Sequence, residues 1–284
     1  MTYVNPDALV ETQWLAANLS DPKVKVLDSS YHLPGTGRDA ETEFSDRHIP
    51  GSMLFDIEDV RDRDIPLPHM LPSAEQFAGQ MSALGINNGD MVVVYDVHGI
   101  QTAPRAWWTF RAFGHDKVAV LNGGLPKWLA EHRPVSDDII DRPRGDFSAK
   151  ADARLIRSVE EMLANQESRG ALVVDARPTG RFEGAAPEPR AGLRPGRMPG
   201  SVNLPTNLLI DPTTKTYLPA DQVRAVLANA GVDNPDQPMI TSCGSGVAAC
   251  LVSLGLYLIG NKSVPVYDGS WSEWGAREDT PIEV

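Results

Sequence analysis

The chain has 284 residues, of which 42% are hydrophobic and 23% charged, a composition that excludes disordered, fibrous and membrane-spanning proteins. This length suits one large α/β domain or two compact domains of about 130 to 140 residues each. The formal net charge of -12 disfavours binding to nucleic acid, because an acidic protein repels the phosphate backbone.

The N-terminal segment predicts a short helix and no export signal. Residues 1 to 16 contain Asp7 and Glu11 and lack the basic start and apolar run of a secretory signal. We therefore expect a cytoplasmic protein that does not bind membranes. Asn5 before Pro6 predicts a helix start, with Asn5 as the N-cap and proline in the first turn.

The first half alternates predicted strands with predicted helices. Short apolar runs rich in β-branched residues predict buried parallel strands at Lys25 to Leu27, Met91 to Tyr95 and Val118 to Leu121. Ser73 and Gln76 offer a capping box for a helix that begins after Ser73. Asp137 to Lys150, rich in Asp, Pro, Arg and Gly without apolar periodicity, reads as a linker.

The second half repeats this alternation. Ser158 and Glu161 offer another capping box. Strands are predicted at Leu172 to Val174, Met239 to Ser242 and Val264 to Tyr267, and an apolar helix ends near Ile259. The pattern predicts an α/β fold with a parallel sheet flanked by helices in each half. We place the domains at residues 1–137 and 157–284, joined by a linker at residues 138–156.

Matching landmarks in matching order indicate an internal duplication. In the first half they are Val26-Leu27-Asp28, His48-Ile49-Pro50-Gly51-Ser52, Met91 to Asp96, and Asn122-Gly123-Gly124 followed by Trp128. In the second half they are Val173-Val174-Asp175, Arg197-Met198-Pro199-Gly200-Ser201, Met239 to Cys243, and Asp268-Gly269-Ser270 followed by Trp274. The first two spacings are 20 and 48 residues in one half, and 22 and 46 in the other.

Cys243 begins a glycine-bearing loop, Cys243 to Ala249, between a predicted strand and a predicted helix. The free N–H groups of such a junction and the helix dipole stabilise an anion, and a stabilised thiolate is nucleophilic near neutral pH. Gly244 and Gly246 allow the loop its curvature, and Ser245 offers a hydroxyl to the sulfur or to a leaving group. A buried structural thiol is the alternative.

The two cysteines of the chain, Cys243 and Cys250, are seven residues apart. Two helical turns separate such positions by about 10 Å, which is beyond the reach of a disulfide. We expect no bond between them, and this cysteine usage fits a reducing compartment.

The sequence resembles the tandem-domain rhodanese family over essentially the whole chain. The resemblance rests on the duplication, the Cys243 to Ala249 loop, the Pro-Gly-Ser segments and the closing Asp268 to Trp274 segment. The resemblance implies two rhodanese-like domains and a sulfurtransferase that carries sulfur as a persulfide on Cys243. It also implies a noncatalytic first domain, since Asp96 takes the place of the cysteine there and Val97 to Ile100 replace the glycine loop.

Within the resembling family, Cys-Gly-Ser-Gly-Val is typical of members that take sulfur from 3-mercaptopyruvate. Members that prefer thiosulfate usually carry basic residues where this chain has Gly244 and Ser245. Thiosulfate remains the alternative donor. Val247 and Ala248 complete the substrate-binding loop with Gly244 and Gly246; Ala248 stands where the family usually has threonine, which removes one possible hydrogen bond worth about 1 kcal/mol.

Arginines supply the expected binding groups for an anionic donor, because a guanidinium holds a carboxylate with forked hydrogen bonds. Arg181 and Arg190 match the family's arginines that bind the keto acid. A solvated surface arginine is the alternative for each. Arg177 directly follows the segment around Asp175 and could instead be a structural ion-pair partner.

The resemblance also implies a proton relay from Glu58 through His69 to Ser245. An acid that orients an imidazole lets it exchange a proton with a hydroxyl. The family often has aspartate where this chain has Glu58. His69 could instead only cap or cross-link its loop, and His48 and His98 are interpreted as structural, because no metal-ligand spacing is present.

In the expected reaction, pyruvate leaves first as its enolate and the persulfide sulfur passes to a thiol, such as a thioredoxin or a low-molecular-weight thiol, or to cyanide. No metal or organic cofactor is required. The sequence disfavours a cysteine phosphatase, because such an enzyme needs an arginine where Ala249 stands. A noncatalytic binding module or sulfur-relay scaffold is a further alternative that an activity assay would test.

Overall fold

Two five-stranded parallel sheets form the framework of the computed structural model, which describes residues 2–284. Both sheets are flanked by helices, which confirms the predicted α/β fold with one such unit in each half. Within the described residues, no helix combines the length and hydrophobicity needed to cross a lipid bilayer.

The first half contains the elements β1 to β5 and α1 to α5. In chain order they are β1 (Leu9–Val10), α1 (Thr12–Asn18), β2 (Val24–Asp28), α2 (Ala40–Asp46), β3 (Met53–Leu54), α3 (Ala74–Ala83), β4 (Met91–Tyr95), α4 (Ala103–Ala112), β5 (Val118–Leu121) and α5 (Gly124–Ala130). A short 3-10 helix, Pro6–Ala8, precedes β1.

The second half contains β6 to β10 and α6 to α10. In chain order they are β6 (Ile156–Arg157), α6 (Val159–Ser168), β7 (Leu172–Asp175), α7 (Thr179–Phe182), β8 (Val202–Asn203), α8 (Ala220–Asn229), β9 (Met239–Ser242), α9 (Val247–Leu258), β10 (Val266–Tyr267) and α10 (Ser270–Trp274). The 3-10 helix Ala153–Leu155 precedes β6, and the 3-10 helix Thr206–Leu209 lies between β8 and α8.

The strand orders reproduce the duplication seen in the sequence. They are β1-β5-β4-β2-β3 in the first sheet and β6-β10-β9-β7-β8 in the second. An isolated antiparallel bridge follows the same symmetry, joining His48 to Ser136 in one half and Arg197 to Glu283 in the other. Asp96 and Cys243 directly follow the central strands β4 and β9, so these two residues occupy matching positions.

Two of the three predicted helix starts are confirmed. Ser73 and Ser158 both form complete capping boxes with the residue three positions later. The prediction for Asn5 is wrong, because the helix after it is a three-residue 3-10 turn and Asn5 makes no capping bond. Its side-chain amide instead donates to the carbonyl of Tyr257 at 2.7 Å, which docks the N-terminal segment on the second domain.

The two domains pack through α4 and α9, the helices that follow the two matching loops. All ten residues of α4 and ten of the twelve in α9 are buried. Trp107 of α4 packs edge-on against Tyr257 of α9, with ring centres 5.3 Å apart. One apolar cluster runs through both domains. A large hydrophobic interface of this kind restricts domain motion, so the two loops are held in a fixed relation.

The predicted linker lies against the first domain. Gly145 donates from its backbone to Ser82 at 2.7 Å, and the buried ring of Phe147 packs edge-on against Phe77, with centres 5.7 Å apart. The second sheet begins at Ile156, which pairs with β10. The domain boundaries themselves stay a prediction.

A buried carboxyl at the end of β2 makes stability depend on pH. Asp28 matches Asp175 of the second half, but Asp175 pairs with Arg177 at 2.7 Å, whereas Asp28 accepts a backbone hydrogen bond from Ser30 at 2.9 Å. Burial raises the pKa of Asp28 to about 6. Between about pH 4 and pH 6, the folded state therefore keeps a proton on Asp28 that the unfolded state has released. The free energy of unfolding falls as the pH rises through this range and levels off above it.

We expect Asp28→Asn to stabilise the protein near neutral pH by roughly 1 to 3 kcal/mol, since the amide carries no charge to bury. The gain should disappear near pH 4, where the native carboxyl is already protonated. Urea unfolding of both proteins at several pH values measures the difference. A gain that stayed constant across this pH range would contradict the assignment of the effect to charge burial.

Candidate active site

The cysteine loop connects β9 to α9 and is held by the segment before α10. The N–H groups of Cys243 and Gly246 donate to the hydroxyl of Ser270 at 3.2 and 3.1 Å, and Trp271 donates from its backbone to the carbonyl of Cys243 at 2.9 Å. Gly246 has φ +75°, and a Cβ there would lie 2.8 Å from the carbonyl oxygen of Asp268. Only glycine fits this close approach.

Around Cys243, several backbone donors are left free. The N–H groups of Gly244, Ser245, Val247 and Ala248 donate to no other residue in the described part of the chain. They lie in the loop and the first turn of the twelve-residue helix α9. Free donors together with the positive end of a helix dipole favour an anion at this position.

The matching loop of the first domain already holds an anion. The carboxylate of Asp96 accepts hydrogen bonds from the N–H groups of His98, Gln101, Thr102 and Ala103, each at 2.8 Å. Asp96 stands where Cys243 stands in the second domain. The duplicated fold therefore places a group of backbone donors in this loop. In the first domain they bind a carboxylate, and in the second, among the described residues, those of Gly244, Ser245, Val247 and Ala248 have no acceptor.

Cys243 lies on a cavity of about 370 Å³ between the two domains. The first domain contributes Tyr31, His32, Leu33, Thr36, Arg38, His98, Gln101 and Thr102 to its wall, and the second contributes Ala176, Arg177, Pro178, Arg181, Pro189, Arg190, Thr206, Cys243, Gly244, Ser245, Val247 and Ala248. Cys243 as a whole residue is only 2% exposed, so a reactant must enter this cavity to reach its thiol.

The second cysteine has different surroundings. Cys250 is free, like Cys243, and its thiol donates to the carbonyl of Gly246 at 3.1 Å. Burial raises the pKa of the Cys250 thiol well above its ordinary value. A protonated thiol bonded within its own helix is a poor nucleophile.

Glu58, His69 and Ser245 form one chain of hydrogen bonds across the domain boundary. His69 Nε2 lies 2.8 Å from Glu58 Oε1, and Nδ1 lies 3.0 Å from Ser245 Oγ. The hydrogen bond with His69 lowers the pKa of Glu58, and the nearby Arg61 charge acts in the same direction. Glu58 thus stays anionic and can orient the imidazole. Although the family often has aspartate at this position, the longer glutamate side chain also reaches His69.

The three predicted arginines have different partners. Arg177 is buried and pairs with Asp175 and Glu188, both at 2.7 Å. Arg181 pairs with the other oxygen of Glu188 at 2.5 Å. A Cβ on Gly244 would lie 3.0 Å from Arg181 Nη2, so Arg181 reaches the cysteine loop.

Arg190 lies on the same cavity and forms no ion pair with any residue between 2 and 284. Arg190, which has no such pair, and Arg181, which is partly exposed and reaches the cysteine loop, are therefore the arginines placed to receive an anionic reactant. Arg177 is fully buried and pairs with two carboxylates. The two histidines interpreted as structural, His48 and His98, have different surroundings. His48 bonds the carbonyl of Phe44 at 2.7 Å, while His98 lies on the cavity wall, with its ring centre 5.0 Å from that of His32.

Several residues of the site escaped the sequence analysis. Arg105 and Asp268 form a buried ion pair at 2.8 Å behind the cysteine loop, Glu188 bridges two arginines, and Ser270 holds the loop. The signal for Arg105 was a charged residue inside the apolar and aromatic stretch of α4. The signal for Glu188 was only its position close to Arg190 in the sequence. The signal for Ser270 was only its place in the repeated landmark Asp268-Gly269-Ser270.

Comparisons with known proteins agree with this architecture. A family model described as the rhodanese-like domain matches residues 11–131 and 158–277. The chain is 45% identical over 276 residues to the 3-mercaptopyruvate sulfurtransferase of Homo sapiens, covering 95% of this chain and 92% of the relative. It is 42% identical over 275 residues to the thiosulfate sulfurtransferase of Cricetulus griseus, covering 94% and 91%. The crystal structure of SseA from Escherichia coli, described as a 3-mercaptopyruvate sulfotransferase with the rhodanese fold, superposes with a TM-score of 0.85 at 37% identity, covering 93% and 98%.

Proposed function

The chain belongs to the rhodanese family as a tandem-domain sulfurtransferase, and we propose that it takes sulfur from 3-mercaptopyruvate onto Cys243 and passes it to a thiol. The observation that carries this proposal is the group of free backbone donors in the loop that begins at Cys243, together with the hydroxyl of Ser245 and its hydrogen-bonded partners His69 and Glu58. The first group stabilises a sulfur anion, and the second can supply a proton.

In the first half-reaction, the Cys243 thiolate attacks the sulfur of the donor, which Arg181 and Arg190 hold by its carboxylate. A sulfur–sulfur bond forms while the carbon–sulfur bond of the donor breaks, and the electron pair moves into the enolate of pyruvate. The enolate carbon then takes a proton from the Ser245 hydroxyl. A protonated His69, stabilised by the Glu58 carboxylate, replaces that proton.

In the second half-reaction, an acceptor thiolate attacks the outer sulfur of the persulfide. The sulfur–sulfur bond breaks, the acceptor leaves as a persulfide, and the Cys243 thiolate is regenerated. A thioredoxin or a low-molecular-weight thiol can serve as this acceptor. Cyanide can take the same sulfur by attacking it through carbon, which releases thiocyanate and a proton and regenerates the same thiolate. The free Cys243 and Cys250 thiols support a reducing compartment, and we propose the cytoplasm.

Thiosulfate is the second candidate donor, and the similarity to the thiosulfate sulfurtransferase of Cricetulus griseus supports it. The relay at Ser245 favours 3-mercaptopyruvate, because pyruvate enolate needs a proton on departure and sulfite does not. Gly244 and Ser245 also leave the loop without the basic side chains that would favour a dianionic donor.

Intact-mass measurement on the wild-type protein tests the proposal. With 3-mercaptopyruvate, we expect a gain of one sulfur per chain, located on the peptide that contains Cys243, and one pyruvate released for each sulfur gained. Thiosulfate should load the protein more slowly. Pyruvate release without any gain of sulfur would reject the persulfide route, and faster loading by thiosulfate would establish the second donor instead.

A further inference from the structure

Arg105, in the first domain, lies where the loop that carries His69 meets the cysteine loop. Its side chain is buried on α4, and only 3% of it is exposed. Nη1 donates to Asp268 Oδ1 at 2.8 Å and to the carbonyl of Gly246 at 3.3 Å, and Nη2 donates to the carbonyl of His69. One guanidinium therefore contacts both loops across the domain boundary.

Asp268 completes this connection from the second domain. Its Oδ1 accepts from Arg105, and its Oδ2 accepts from the backbone N–H of Leu71 at 2.7 Å. The loop around His69 is thus held at two points, the carbonyl of residue 69 and the N–H of residue 71. Because a guanidinium donates in fixed planar directions, this loop cannot shift relative to the cysteine loop without breaking one of these bonds.

The backbone of His69 shows why such a hold is needed. Its φ is +61°, in the left-handed region that non-glycine residues seldom adopt. Conformations of this kind cost on the order of 1 to 3 kcal/mol and persist only where the surroundings enforce them. Here the carbonyl is bound by Arg105, and the two ring nitrogens are bound by Glu58 and Ser245.

We propose that Arg105 is a positioning residue, which together with Asp268 holds His69 in register with Ser245 and so makes proton delivery depend on the docking of the two domains. This inference rests on the proposed function. It gives the first domain, which has Asp96 in the place of the cysteine, a role in the reaction, because that domain supplies both the histidine and the arginine that aligns it. Arg105 touches neither the donor nor the reacting sulfur, and it acts only through His69 and the Gly246 carbonyl.

Another buried arginine on the same helix provides a matched control. Arg111 also lies at the domain interface, over the rings of Trp107 and Tyr257 at 4.9 and 4.4 Å, and it donates to the carbonyl of Lys262 at 3.3 Å. None of these contacts reaches the cysteine loop or His69. Substituting Arg111 therefore perturbs the interface without releasing the relay.

Arg105→Lys keeps the positive charge but removes the planar guanidinium that donates to both loops. We expect kcat with 3-mercaptopyruvate to fall by about tenfold or more, since small misplacements of catalytic groups have effects of this size. KM should stay close to the wild-type value, because Arg181 and Arg190 are unchanged. In a Ser245→Ala background, where the relay is already broken, Arg105→Lys should lower kcat little further. Arg111→Lys should leave kcat close to that of the wild type.

Multiplicative losses for Arg105→Lys and Ser245→Ala, or an equal loss in Arg111→Lys, would overturn the inference and leave Arg105 a purely structural residue. If thermal unfolding shows that Arg105→Lys does not fold, Asp268→Asn provides the same test. Its amide oxygen can still accept from Leu71, but it lacks the charge that holds Arg105, so its loss should also vanish in the Ser245→Ala background. Sulfur loading of the wild type separates the two ideas: no gain at Cys243 rejects the proposed function, whereas normal gain with an unimpaired Arg105→Lys rejects only the inference.

Discussion

Replacing Cys243 with serine should leave a folded protein that gains no sulfur from 3-mercaptopyruvate and whose turnover is lower by at least about a thousandfold, the scale of loss when a catalytic nucleophile is removed. Serine keeps the size of the side chain and can use the same backbone donors. Its hydroxyl does not ionise near neutral pH, however, and cannot form the sulfur–sulfur bond that carries the transferred atom. Intact mass after donor addition, and pyruvate release over the same period, measure both losses.

Cys250→Ser is the matched control for this substitution. A serine hydroxyl can still donate to the Gly246 carbonyl that the Cys250 thiol contacts at 3.1 Å, and the position is buried within α9 rather than on the cavity. We expect Cys250→Ser to load one sulfur and turn over at nearly the wild-type rate. Equal sulfur gain in Cys243→Ser and the wild type would reject Cys243 as the carrier, and loss in Cys250→Ser alone would assign the role to the other thiol.

The regular strands were predictable because burial on both faces leaves a simple pattern. The strand β4 was predicted at Met91 to Tyr95 and β5 at Val118 to Leu121, and both have these bounds in the structure. Each is a continuous apolar run with no polar face to interrupt it. The two-residue strands β3 and β8 left no such pattern, because they form through backbone pairing alone.

The prediction for Asn5 failed for a related reason. Asn5 before Pro6 is a sound local signal for a helix start, but the side chain is used by a carbonyl that lies 252 positions away in sequence. A contact of this range depends on how the domains dock, and no local pattern reports it. For the same reason the role of Arg105 could not be predicted, because its partner Asp268 lies 163 positions away in the sequence.

The candidate site was predictable where chemistry and repetition coincide. Cys243 stands at the end of the central strand, and its counterpart Asp96 marks the same place in the other half, so the duplication pointed to that position. Glu58, His69 and Ser245 were grouped by family resemblance, and the structure brings them within hydrogen-bond distance. Their roles in the reaction stay predictions.

Arg181 and Arg190 should give the other large effect, on donor binding. Removing a charge-assisted hydrogen bond costs about 1.5 to 3 kcal/mol, so Arg190→Ala should lower kcat/KM for 3-mercaptopyruvate by roughly ten- to a hundredfold. Arg181→Ala should lower it further, because the Glu188 carboxylate that Arg181 now pairs with at 2.5 Å would keep only its pair with Arg177 and would repel the anionic donor. Steady-state kinetics should show most of both losses in KM.

This ordering follows from Glu188 and can be tested through it. Adding Glu188→Gln to Arg181→Ala should recover part of the lost kcat/KM, since the amide removes the repulsion without restoring the missing cation. Arg38, which lies on the same cavity but pairs with Glu43 of its own domain, is the matched control, and Arg38→Ala should change kcat/KM far less than either substitution. If Arg38→Ala proved as damaging as Arg190→Ala, the donor carboxylate would have to bind on the first-domain wall. If Glu188→Gln gave no recovery, Arg181 would act on the donor without any part played by its carboxylate neighbour.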